Sequence, residues 1–119
     1  MKLAEGQKFA LSLPETTEQP HFDYSSFRIR GKIIATVPPD GDHLHVFIDE
    51  DTTRAATAHS SGAFEELWWG KRLLGVRVDL RAADADLVFD LLEESWRRRA
   101  PKRLAAQLAA RARENDPSA

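Results

Sequence analysis

An α+β fold, with an antiparallel sheet of four or five strands beside helices, is what this sequence predicts, on three observations. Apolar and polar residues alternate on both sides of Gly31, through Phe27-Arg28-Ile29-Arg30 and Lys32-Ile33-Ile34-Ala35-Thr36-Val37, which is the pattern of a β-hairpin. The turn signal Pro38-Pro39-Asp40-Gly41-Asp42 is followed by a second alternating run, residues 43–48. From about Asp84 the period lengthens to nearly four, placing Leu87, Leu91 and Ser95 in one helical row and Val88, Leu92 and Trp96 in the next.

In chain order, residues 3–11 form a short amphipathic segment that stops before Pro14. The polar, proline-bracketed stretch 14–20 reads as a loop. The hairpin follows, with Phe27 and Ile29 on one face and Arg28 and Arg30 on the other, because strand side chains alternate. Residues 43–48 add a third strand and complete a meander. Asp49-Glu50-Asp51-Thr52 supplies N-cap candidates and acidic first-turn residues for a helix running to about His59, with Gly62 placed to end it. Residues 63–70 read as an aromatic-rich connection into a further strand, residues 71–80, in which Gly75 marks a bulge or a break. Asp84 caps the long helix, Arg97, Arg98 and Arg99 complement its C-terminal dipole, and Pro101 ends it and starts an alanine-rich helix. The expected core is Phe27, Ile29, Val46, Val76, Val78, Leu87, Leu91 and Leu92. Residues 1–114 are expected to form one domain and 115–119 a frayed tail.

The chain has no cysteine, which removes disulfides and thiolate metal sites. It shows no signal-peptide pattern and no long uncharged apolar run, so the cytoplasm is the expected location and no membrane is expected as a partner. The formal net charge of −2 conceals an asymmetry: residues 1–66 carry −5 and residues 67–119 carry +3. Between Ser95 and Arg113 stand Arg97, Arg98, Arg99, Lys102, Arg103, Arg111 and Arg113 with no acidic residue among them, a local positive field suited to phosphates.

Three stretches carry a resemblance: residues 11–22 (Leu-Ser-Leu-Pro-Glu-Thr-Thr-Glu-Gln-Pro-His-Phe), residues 26–36 around Arg30-Gly31-Lys32, and Leu92-Glu93-Glu94-Ser95-Trp96. Over about residues 3–104 the chain resembles the MmcQ/YjbR family of small bacterial proteins. The resemblance implies a two-layer α+β sandwich whose antiparallel sheet is covered by N- and C-terminal helices, akin to frataxin-like folds and double-wing DNA-binding domains. It supplies no catalytic residue to carry over. The region 97–113 is longer and more basic here than is common in that family.

The expected function is therefore nucleic-acid (DNA) binding, mainly through phosphates, by Arg28, Arg30 and Lys32 on the hairpin and Arg97, Arg98, Lys102 and Arg103 toward the C-terminus. The alternative is a protein- or small-ligand-binding accessory domain without catalysis, using His21, Trp68 and Trp69. Adjacent tryptophans in an extended segment point to opposite sides, so one is expected at a surface, where it can stack on a base or anchor a partner. No catalytic residue and no cofactor are expected, since no serine or aspartate stands in a triad context around His21. His43 and His45 project from one strand face beside Asp42, but a third ligand is lacking and no metal site is expected.

Overall fold

Gly31 reverses the chain where the alternation requires it. Arg30 (φ +53°) and Gly31 (φ +79°) both adopt left-handed backbone between β2 (Tyr24–Ile29) and β3 (Lys32–Val37), the geometry of a tight hairpin turn. The computed structural model describes residues 1–59 and 62–114, so the tail expected at 115–119 lies outside the described residues. Before the hairpin stand α1 (Leu3–Ser12) and β1 (Thr16–His21). After it come β4 (His43–Phe47), α2 (Glu50–His59), β5 (Phe64–Trp69), β6 (Arg72–Asp79), α3 (Ala85–Arg99) and α4 (Lys102–Glu114).

The sheet is open, antiparallel and six-stranded, in the order β1-β2-β3-β4-β6-β5, rather than four- or five-stranded. Both additional strands are edges. Residues 14–20, expected as a loop, contain most of β1, which pairs with β2 from Thr16↔Ile29 to His21↔Tyr24. Its residues are mostly exposed because it covers nothing, and an edge strand tolerates Pro20 where a central one would not. Residues 64–69, expected as a connection, form β5, paired with β6 along its length. Gly75 does not break β6 in two. It faces Phe47 on one side and Leu67 on the other, and the bulge falls next to it, between Leu67 and Trp68.

The register assigns the two faces. Phe27, Ala35, Val46 and Val76 are aligned across four strands, and all are buried with Ala10, Ala56, Val88, Leu92, Trp96 and Leu104 of the helices in one core cluster. Seven of the eight expected core residues are buried; Leu87 packs partly buried against them. Phe9 of α1 stacks on Phe89 of α3 with ring centroids 4.5 Å apart. Trp96 donates its indole N–H to the Pro14 carbonyl at 3.1 Å, tying α3 to the approach of β1. Asp84 caps α3 through the Asp86 amide, and Asp49 caps α2 through the Thr52 amide at 2.8 Å. All helices thus share one side of the sheet, and the other is bare. No helix among the described residues is long and apolar enough to cross a membrane.

Candidate functional site

The bare face is organised by one polar row. Gln19, Ser26, Thr36, His45, Arg77 and Glu65 are successive cross-strand partners over all six strands. Side chains of directly opposed residues stand on the same face and touch. Ser26 donates to the Gln19 carbonyl at 2.8 Å, Arg77 lies 3.1 Å from His45 Nε2, and Arg77 Nε is 3.3 Å from Glu65. Because arginine only donates, His45 Nε2 accepts, which makes His45 the neutral Nδ1–H tautomer. Burial, then the Arg77 charge and the neighbouring His43, push the His45 pKa down to about 4, against a small opposing effect of Asp40. His43 is engaged separately with the Asp40 carboxylate at 2.8 Å. The two imidazoles therefore have different partners, and no group of three metal-ligating side chains occurs among the described residues.

A right-handed sheet twist lifts two diagonally opposite corners of a wide sheet over the same face. Here those corners are the β1–β2 turn, residues 21–24, and the β5–β6 turn beyond Trp69. Between them lies a cleft of about 560 Å³, floored by Thr36, His45 and Phe47 and walled at one end by His21, Phe22, Asp23 and Tyr24 and at the other by Leu67, Trp68, Trp69 and Leu74. His21, Trp68 and Trp69, named from sequence as a ligand or partner surface, are thus brought to one place. Neither tryptophan enters the core or lies under the C-terminal helix: Trp68 is 49% exposed and Trp69 76%. Phe22 is 91% exposed and holds φ at +58°, a left-handed conformation that costs a bulky residue on the order of 1 kcal/mol or more.

The basic residues named from sequence are distributed differently. Arg28 lies on the bare face, donating to Ser26 Oγ at 2.9 Å and approaching His21 at 3.4 Å. Arg30 is in the turn and forms a two-pronged pair with Glu15, at 2.9 and 3.1 Å. Hydrogen bonding from Arg30 holds the Glu15 carboxyl below its ordinary pKa, and the charges of Arg30 and, more weakly, Arg103 add to this. Lys32, opposite Ile29, is exposed, as are Lys102 and Arg103; Arg97 reaches Glu93 at 3.5 Å. Since β3 and β6 run parallel on either side of β4, Lys32 and Arg72 mark the same end of the sheet. A second cavity of about 370 Å³ opens there, lined by Arg72, Arg98 and Arg99 with Ile33, Phe47, Ile48, Asp49, Leu73 and Leu74.

Tyr24, His45, Phe47 and Arg72 are cleft or cavity residues that sequence reasoning missed as site residues. His45 was accessible to it, since it alternates with the buried Leu44 and Val46 on a recognised strand. The placement of Arg72 beside the tryptophan wall was not, because it depends on β5 being a strand.

A family model for YjbR matches residues 11–98 of the chain. Comparison with curated proteins and with solved structures finds no significant match.

Proposed function

The chain belongs to the YjbR family, and from that premise we propose that it is a non-catalytic binding module whose site is the diagonal cleft on the bare sheet face. The observation that carries this reading is Phe22. A phenylalanine that is almost fully exposed and held in a left-handed turn is unfavourable twice over for the isolated fold, and such costs persist where a contact made in function uses them. Phe22 faces Trp68 and Trp69 across a cleft of a size usual for small-ligand sites, with few polar groups to fix orientation. Amide chemical-shift mapping with an uncharged planar probe, 2-naphthol, tests it. Shifts should concentrate in residues 21–24, 45–47 and 67–74, and should vanish when Trp68 and Trp69 are both replaced by alanine. Absence of shifts, or shifts scattered over the helices, would remove the cleft as the site.

A second reading, DNA binding through phosphates, is favoured by one observation: Glu15 is paired with Arg30 of the hairpin turn and also feels the charge of Arg103 at the start of α4. Arg30 and the neighbouring exposed Lys32, with the exposed Lys102 and Arg103, would supply the phosphate contacts of such an interface. Non-specific, salt-sensitive binding follows, weakening as the released counterions become abundant. Glu15→Gln should strengthen duplex binding at low salt and Arg30→Ala with Arg103→Ala should weaken it; no effect of either on a measured affinity would exclude this surface.

A further inference from the structure

The aromatic cleft and the arginine-lined cavity share two lining residues, Phe47 and Leu74, so they adjoin and a ligand seated in the cleft lies beside the cavity. We propose that together they bind a mononucleotide, with the base stacked in the cleft against Trp68 and Trp69 and the phosphate held by Arg72, Arg98 and Arg99. This rests on the cleft being the binding site.

Each half of the ligand answers to a feature of the surface. An aromatic wall that is rich in π-faces and poor in hydrogen-bonding groups accepts a base with little regard to its identity, and stacking on such side chains is a substantial term per base. The cavity beside it carries three guanidinium groups against one carboxylate. That carboxylate, Asp49, is occupied in capping α2 through the Thr52 amide at 2.8 Å. The arginines are not satisfied in the same way. Arg99 Nε is buried with no hydrogen-bond partner among the described residues, and Arg98 makes only a long 3.5 Å contact to the Phe47 carbonyl. Arg72 forms no ion pair among the described residues, and it is the direct cross-strand partner of Trp69, so base wall and phosphate donor are adjacent across one hairpin. Planar guanidinium donors match phosphate oxygens in geometry as well as charge.

A single phosphate fits better than a polynucleotide strand. The cleft's own lining holds no lysine or arginine; the three arginines line the cavity that adjoins it at Phe47 and Leu74, and the far end of the cleft presents Asp23. A strand running the length of the cleft would carry further phosphates past that carboxylate.

The test is calorimetric titration of the full chain at low salt with AMP, adenosine, inorganic phosphate and the oligonucleotide (dA)6, on the wild type and on Arg72→Ala/Arg98→Ala. Both arginines are exposed, so the variant should fold, which its thermal transition will check. AMP should bind at least tenfold more tightly than adenosine and than phosphate alone. The double variant should lose that advantage while its affinity for adenosine stays unchanged. Equal binding of AMP and adenosine, or no effect of the arginine changes, overturns the phosphate site and leaves the cleft reading intact. No binding of either ligand overturns the proposal, and 2-naphthol mapping then decides the cleft separately. Tenfold tighter binding of (dA)6 than AMP with a steep salt dependence overturns it in favour of a strand. A sedimenting dimer that loses its association in Trp69→Ala overturns it in favour of a second copy of the chain.

Discussion

Phe22, His45 and Gly75 each hold a conformation or protonation state that the surrounding structure imposes. At position 22 asparagine accepts left-handed backbone far more readily than phenylalanine. Phe22→Asn should therefore raise the unfolding free energy by about 0.5–1 kcal/mol while weakening 2-naphthol binding, a pair of opposite changes that denaturant unfolding and titration can read together. At His45 the sign follows from linkage. The folded pKa, about 4, lies below the unfolded value of 6.5, so between these pH values the unfolded chain holds a proton that the folded chain refuses. Stability from this residue is full above about pH 6.5, falls with acidification by at most about 1.4 kcal/mol per pH unit, and is flat again below about pH 4. Comparison with His45→Gln, which can still accept from Arg77, isolates that slope from the carboxylates. At Gly75 an added Cβ would lie 2.0 Å from the Val46 carbonyl oxygen and 3.0 Å from Phe47 Cα, and the residue's φ of +156° is itself open mainly to glycine. Those are backbone atoms of the adjacent central strand and cannot step aside, so Gly75→Ala should cost on the order of 3 kcal/mol or prevent folding, as measured by circular dichroism.

Among the elements, α3 holds the fold together. Ser95 sits under its buried face with Oγ 2.9 Å from the Ile34 carbonyl and 2.6 Å from that of Phe47. The β2–β3 register steps from Phe27↔Ala35 to Arg28↔Ile33, leaving Ile34 as the extra residue of a bulge, and the serine hydroxyl supplies a donor at that irregularity. Leu91, one turn earlier in the same row, is buried among apolar neighbours, and Leu91→Ala should lower the unfolding free energy by about 2–5 kcal/mol in urea titration. This helix and the four interior strands were legible because each buries one face, so the need for burial writes itself into the period. The edge strands were not. β1 is polar on both faces and contains Pro20, and β5 ends in two tryptophans that are both exposed, so neither shows an alternation imposed by a core. The cleft inherits that opacity: His21, Trp68 and Trp69 stood out as residue types, but their convergence depends on two strands that composition disguised and on a twist that no local pattern encodes.

Over the whole molecule, charge and layering run along different axes. The helices lie on one face of the sheet, while the basic residues collect at one end of it, where Arg30, Lys32, Arg72, Arg98, Arg99 and Arg103 are offset by Glu15 and Asp49. The opposite end carries Asp40 and Asp79 with His43 and Arg77 between them. The near-neutral total of −2 thus coexists with a basic cluster at one end of the sheet; the excess of basic residues after residue 66 was visible in the sequence, whereas the gathering of Arg72 with Arg98 and Arg99 was not.

The strand order has a kinetic consequence. β1 to β4 pair each with the next, and β5 pairs with β6, all through short reversals, whereas β4 meets β6 only after the chain has passed through α2 and β5. The first set of pairings closes short loops and the last closes a long one, which bears the larger ordering cost before any contact rewards it. The four-strand meander and the β5–β6 hairpin should thus behave as two cooperative units that dock late along the β4–β6 seam. In native-state hydrogen exchange at rising denaturant, the β5–β6 amides should merge into an opening of lower free energy than those of β2 and β3; a single common opening for all six strands would show that seam to be already formed whenever either unit is.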